Sequence, residues 1–346
     1  LYSVDVQYIA EKVIDLCRIP SPTGFTEAAM AYVEQELNRL GVAARRTPKG
    51  ALLAVLPGKD TQHVRALSAH LDTLGAMVKE VKPNGRLKLT RIGGYSCHTI
   101  EGEYVQVHTQ SGRIITGTVL VTKASTHVYG EAHYKQERTE ENMEVRLDER
   151  VHSREQVEAL GIRVGDFISL DPRTTLTPSG FIKSRHLDDK ACAGILLGLA
   201  QAVKAQQVPL AATTYLFFSN YEEVGHGAAG AFPPETAELI ALDMAAVGEG
   251  QTSDEYSVTI CVKDSSGPYD YELSRRLQQL AEEQGIPYKV DIYPYYGSDA
   301  SAALKAGGQF RAALVGPGID ASHSFERCHL DALKHAAALM LEYLQR

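Results

Sequence analysis

Three observations predict an α/β fold interrupted by a β-rich insertion. Apolar strands alternate with helical patterns from residue 188 to the C-terminus, and the first seventy or so residues have the same texture. Between them, residues 74–181 carry short strands separated by the turn pairs Asn84-Gly85, Ser111-Gly112 and Ser179-Gly180. The domains expected are therefore one α/β body, residues 1–73 with 182–346, and an inserted β-rich domain at 74–181.

The elements follow in order. Residues 5–17 and 26–40 read as helices; Thr26 precedes a pattern with apolar Met30, Val33 and Leu37, and Gly41 stands where a C-terminal cap belongs. Strands are expected at 51–56 and 64–69. In the insertion, strands are expected at 86–92, 104–109, 114–121 and 167–170, a short helix at 153–160, and a polar loop at 126–142. From residue 188 the expected order is helix 189–204, strands 212–219, 238–243 and 256–263, helix 269–284, strand 288–293, helix 299–306, strand 310–315 and helix 329–344.

With 44% hydrophobic and 23% charged residues, the 346-residue chain can bury a core, so disorder is not the default reading. A net charge of -8 with interspersed signs gives no footprint for nucleic acid or an anionic membrane. Five scattered cysteines without a C-x-x-C pair argue against a disulfide framework or a thiolate zinc site, and for a reducing, cytoplasmic location. The most apolar stretch, Ala191 to Val203, is too short to span a bilayer.

Open α/β sheets bind ligands beyond the carboxyl ends of their strands. The polar residues that follow apolar strands directly are therefore the candidates. His70 and Asp72 follow one strand, Glu222 and Glu223 another, Asp243 a third, and His323 lies in the loop after a fourth. Asp188 and Asp189 open a Gly/Ala-rich helix. Taken singly, each has an ordinary explanation: a strand-end pair, a helix cap, a solvated acidic dipeptide, a loop histidine. Together, two imidazoles and three carboxylates form a ligand set suited to zinc, cobalt or manganese, with one carboxylate able to bridge two cations and a spare Glu to act as base.

The blocks His70-x-Asp72, Leu187-Asp188-Asp189-Lys190, Glu222-Glu223-Val224-Gly225, Asp243 and His323-Ser324 resemble the M42 family of metallo-aminopeptidases, which includes glutamyl aminopeptidase-like and tetrahedral (TET) enzymes. The resemblance covers nearly the whole chain. It implies a zinc-peptidase-like α/β sandwich with an inserted, PDZ-like β-barrel domain used in assembly. It further implies two divalent ions per subunit, zinc first, with Asp188 bridging them. His70 and Asp243 would complete one ion's ligands, Glu223 and His323 the other's. Glu222 would be the general base and Asp72 would orient His70. Gly297-Ser298-Asp299-Ala300 resembles a family motif lining the site. The departures are Cys192, His226 and Met244-Ala245-Ala246, none of which removes a ligand.

The expected activity is hydrolysis of N-terminal residues from short peptides, by a homo-oligomer whose leading form is a dodecamer. Two alternatives stand beside it: a related deacylase or carboxypeptidase acting on another amide, and a scaffold that kept the fold without turnover.

Overall fold

The structure is a computed structural model and describes residues 2–346. It divides into two compact units. One is built from the residues up to Asp72 and from Arg173 onward; the other is Thr73–Pro172.

The first unit is organised by a ten-stranded sheet. Its central strands are Ala212–Ser219, Asp60–His70, Thr236–Leu242 and Arg311–Ile319, adjacent in that order and parallel to one another. Their side chains alternate between two cores, as the period-two pleat requires. Leu67, Ala69, Leu216, Phe218, Ile240, Leu242, Ala313 and Val315 point into one, while Ala66, Phe217, Leu239, Ala241, Ala312 and Leu314 point into the other. Both faces are buried, so these strands read as continuous apolar runs rather than as alternating ones.

The larger core lies under the helices Val6–Arg18, Glu27–Arg39, Leu187–Gln206, Tyr271–Gln284 and Leu330–Gln345. The opposite core is closed by the helix Asp299–Lys305 together with Phe217, Tyr269 and Tyr293. The helix Leu187–Gln206 is buried along nearly its whole length. Its Gly194 and Gly198 allow close approach to the first helix: a Cβ at either would sit 2.4 Å from a side-chain carbon of Val13 or Ile9.

The second unit is a closed barrel of six strands: Gly75–Val81, Leu87–Ile92, Met143–Leu147, Ile114–Val121, Tyr104–His108 and Phe167–Leu170. Its core holds Val78, Leu89, Val107, Val119, Val145 and Ile168. The mixed α/β class and the β-barrel nature of the insertion agree with the sequence reading.

Several boundaries differ from expectation. The hairpin of Thr175–Leu176 and Phe181–Ser184 pairs with Glu326–His329, so it belongs to the first unit and the barrel unit ends at Pro172 rather than 181. Strand Gly75–Val81 was not expected. A register shift between Val78 and Glu80 breaks its alternation and leaves Lys79 and Glu80 exposed side by side. Strand Met143–Leu147 carries clean alternation, with Met143, Val145 and Leu147 inward. Within the expected loop 126–142 lie two short helices, Thr126–Tyr129 and Glu131–Lys135. Among the described residues, no helix is long and apolar enough to cross a membrane, and all five cysteines are buried and unpaired.

Candidate active site

The carboxyl ends of the central strands converge. His70 is the last residue of its strand and lies in register with Ser219, the last of the neighbouring one. Past Ser219, Asn220 and a left-handed Tyr221 (φ 73°) turn the chain so that Glu222 and Glu223 follow at once. Asp243 comes directly after Thr236–Leu242, its N–H donating to the carbonyl of Val315 on the next strand. Asp188 lies in the first turn of its helix, and His323 in the loop between Arg311–Ile319 and Glu326–His329. All the residues expected from the sequence thus meet at one edge of the sheet.

Asp188 is the centre of the cluster. Its Oδ1 lies 3.0 Å from Nε2 of His70 and its Oδ2 lies 3.1 Å from Nε2 of His323. The two glutamates divide between the imidazoles. Glu222 Oε2 is 3.5 Å from His70 Nε2, and Glu223 Oε2 is 3.5 Å from His323 Nε2. In each of two groups the potential ligand atoms lie within 4.8 Å of one another: His70, Asp188 and Glu223 in one, His70, Asp189 and Asp243 in the other. A cavity of about 430 Å³ opens onto Asp188, Glu222, Glu223, Asp243 and His323, with Tyr296, Ser298, Ser301 and Lys305 also lining it.

The imidazole of His70 is oriented through Nδ1, which donates to the main-chain carbonyl of Asp72 at 2.8 Å. The carboxylate of Asp72, expected to make that bond, is 3.7 Å from Nδ1. The strand ends at His70, so the two residues no longer share one face. The Asp72 carboxylate instead accepts from the main-chain N–H groups of Glu222 (3.1 Å) and Glu223 (3.2 Å) and from the Thr23 hydroxyl (2.7 Å). Its position in the site stands, but what it positions is the turn carrying both glutamates.

Two further buried acids grip the main chain of the same segments. Asp189 accepts from the His70 N–H at 3.1 Å. Glu326, not among the expected site residues, accepts from the N–H of Asp188 and from that of His323, each at 3.0 Å. Asp299 lies behind the cavity, accepting from the Ser219 hydroxyl (2.6 Å) and the Ala228 N–H (2.9 Å), while its neighbours Gly297 and Ser298 line the cavity. His226 is exposed and stacks on Tyr221, with ring centroids 5.1 Å apart. Cys192 is buried in the helix beside Asp189, and burial pushes its thiol well up.

The electrostatics of this cluster call for positive charge. Burial first, then repulsion from Asp188, raises Glu223 well above the carboxylate range and pushes Asp243 up to about 8. Burial, with Asp243 and Asp299 adding to it, raises Glu222 against the pull of His70. At Asp188 burial also acts upward, but the bonds from His323 and His70 outweigh it and hold the group below its ordinary value. At His70 burial opposes the charged ring, yet Glu222, Asp188, Asp189 and Asp72 lift it well above the usual imidazole range.

The donor set fits a cation. With Nδ1–H donating to the Asp72 carbonyl, a neutral His70 turns the lone pair of Nε2 toward Asp188 Oδ1 at 3.0 Å. Two acceptors at that distance repel unless a proton or a metal ion supplies charge between them. Buried Glu223 Oε1 and Asp189 Oδ1 also lack a hydrogen-bond partner. Nitrogen and carboxylate ligands without thiolate suit zinc, cobalt or manganese.

Comparison with known proteins shows the family and the fold. Residues 50–339 match the family described as M42 glutamyl aminopeptidase. The chain is 54% identical to "Putative aminopeptidase YhfE" of Bacillus subtilis (strain 168) over 98% of both chains. Among solved structures, a TET aminopeptidase from a marine sediment archaeon (Thaumarchaeota) superposes with a TM-score of 0.89 at 20% identity, over 98% of this chain and 97% of that one. The TET1 peptidase of Pyrococcus horikoshii, described as able to assemble into a tetrahedron or a large octahedral shell, gives 0.86 at 21% identity, over 97% and 99%. The chain therefore belongs to the M42 glutamyl aminopeptidase family.

Proposed function

We propose that the chain is a metal-dependent aminopeptidase that holds two divalent ions, zinc first, with Asp188 shared between them. His70 and Asp243 would serve one ion, Glu223 and His323 the other, and Glu222 would be the general base. The observation that carries this reading is the carboxylate of Asp188 set between two imidazole nitrogens, one oxygen facing each. When bound, the ions supply Lewis acidity that polarises the scissile carbonyl and acidifies water.

The protein's own groups do the rest. Glu222 lines the cavity, and its main chain is fixed by Asp72, so its carboxylate is presented rather than free to wander. It takes a proton from the attacking water as oxygen bonds to the peptide carbon. It then returns that proton to the nitrogen as the C–N bond breaks, releasing the N-terminal residue and a shortened peptide. Preference for a free amino terminus over a blocked one follows from membership of the aminopeptidase family.

Assembly into a homo-oligomer belongs to the same proposal, with a closed dodecameric shell as its leading form and the barrel unit as the assembly domain. It draws on the shells described for the Pyrococcus relative and on the prevalence of closed symmetry among soluble oligomers. Light scattering that returned a monodisperse monomer at micromolar concentration would remove it.

The activity is tested with aminoacyl chromogenic substrates and matched N-acetylated peptides, before and after chelation. The expected result is cleavage of free-amine substrates only, lost with chelator and restored by zinc, cobalt or manganese. Full activity in a metal-free preparation would overturn the mechanism, and preference for blocked peptides would overturn the aminopeptidase assignment.

A further inference from the structure

Of the acids around the site, Glu326 reaches main-chain groups in two separate segments. It is 2% exposed and begins the short strand Glu326–His329. That strand is antiparallel to Phe181–Ser184, with Glu326 opposite Ser184, four residues before Asp188. One oxygen, Oε2, accepts from the Asp188 N–H, and the other, Oε1, from the His323 N–H. Both donors need an outside partner. The Asp188 N–H lies ahead of the regular helical turns, since Asp188 (φ -77°, ψ 104°) and Asp189 (φ -120°, ψ 28°) are not helical, and no carbonyl of the helix can reach it. His323 is a non-glycine residue in left-handed backbone (φ 62°), a conformation that the surroundings must hold in place. Those same two residues direct their side chains at each other, His323 Nε2 to Asp188 Oδ2 at 3.1 Å.

We propose that Glu326 is a positioning residue that clamps Asp188 and His323 into the geometry needed to bind the ion on the His323 side. The claim rests on the metal-dependent reading above. A carboxylate is required because both of its ends must accept. Glutamine has the same shape, but its amide end presents N–H to N–H and releases one of the two segments. Aspartate keeps the charge but is one methylene too short to span both donors. Position therefore separates from charge: if Glu326 acted only as a buried negative charge, aspartate would substitute for it.

The test uses full-length Glu326→Gln and Glu326→Asp, stripped of metal and titrated with zinc against a chromogenic chelator, alongside the native chain. Both variants should bind one ion about 10- to 100-fold more weakly, the usual cost of removing a group that orients a ligand. The other ion shares Asp188 but keeps His70 and Asp243, so its affinity should fall less than that of the ion on the His323 side. Hydrogen exchange on the metal-free chains supplies a readout independent of zinc: the segments around Asp188 and His323 should exchange faster in the variants, while the central strands do not. Native zinc affinity in Glu326→Gln, native behaviour in Glu326→Asp, or unchanged exchange at both segments would each overturn the clamp. A native chain that binds no zinc, with the exchange difference present, would remove the proposed metal chemistry and with it the role assigned to Glu326, leaving a structural tie only.

Discussion

The two imidazoles that flank Asp188 are held in different ways. His70 ends a central strand; its side chain is 1% exposed, its N–H is held by Asp189, and its ring is fixed by the Asp72 carbonyl. His323 sits in a loop in left-handed backbone, its side chain 34% exposed and its N–H held by Glu326. One arm of the site is a product of the sheet itself, and the other is a loop tied down by a carboxylate. A site built this way has a buried wall and a more accessible wall.

The adjacent glutamates give the sharpest way to break this comparison, because Glu222 leans toward His70 and Glu223 toward His323. Glu222→Gln should lower kcat by about 10²-fold or more while the metal content stays near native. Glu223→Gln should instead weaken metal binding, and added zinc should recover part of its activity. Steady-state kinetics paired with metal analysis distinguishes them. Native turnover in Glu222→Gln would mean that the base is another group.

Truncating the imidazoles probes the walls directly. His70→Ala removes a buried ring and leaves Asp188 and Glu222 without their positive neighbour, so it should lower the stability of the metal-free chain by about 2–4 kcal/mol. His323→Ala, on the open side, should cost no more than about 1 kcal/mol in the same urea titration, yet lose metal affinity as severely. Equal destabilisation by the two would erase the distinction between sheet-borne and loop-borne arms.

Much of this was legible in the sequence because it follows from burial. A run such as Leu216-Phe217-Phe218 fits a strand covered on both faces, and acids placed directly after it need a reason to be there. What was not legible is which group holds which. Asp72 stands two residues from His70, so strand parity suggested a carboxylate–imidazole bond; the chain leaves the strand at His70, and the carboxylate turns to the glutamate N–H groups instead. Glu326 reads as an ordinary surface acid between Phe325 and Arg327. Only the pairing of its four-residue strand with Phe181–Ser184 turns it inward, and so short a strand leaves almost no periodic signal. In the barrel, the register shift after Val78 breaks the period-two signal of a strand, and the turn pair Ser179-Gly180 belongs to a hairpin whose partner, 326–329, lies far along the chain.

The metal-free protein should also report on its own charge. Glu222 and Glu223 are raised well above ordinary values by burial, and Asp243 to about 8, while in the unfolded chain such groups titrate near ~4. Between about pH 4 and pH 8 the folded state therefore binds more protons than the unfolded state, and stability must fall as pH rises through that window. His70, also raised, acts in the same direction, whereas the lowered Asp188 contributes the opposite slope only below about pH 4. With saturating zinc the ions take the place of the protons, and the slope should flatten or reverse. Urea midpoints at pH 5 and pH 8, with chelator and with zinc, decide it. A metal-free midpoint that rises with pH would contradict the charge distribution described for the cluster.

The smallest effect is expected at Thr23, which touches no ligand. Its buried hydroxyl donates to Asp72 Oδ2 at 2.7 Å, and the same oxygen accepts from the Glu223 N–H while Oδ1 accepts from that of Glu222. Thr23→Ala leaves both main-chain bonds in place and removes one of three donors from the carboxylate. The cost to stability should be about 0.5–1.5 kcal/mol, the net worth of one such hydrogen bond. Because the braced oxygen also holds the Glu223 N–H and the turn carries both glutamates, zinc affinity and kcat should each fall by about a few-fold. Thr23→Ser, which keeps the hydroxyl, should restore kcat. A serine variant no better than alanine would show that Thr23 contributes packing alone, and that the two main-chain bonds are sufficient to hold the glutamates.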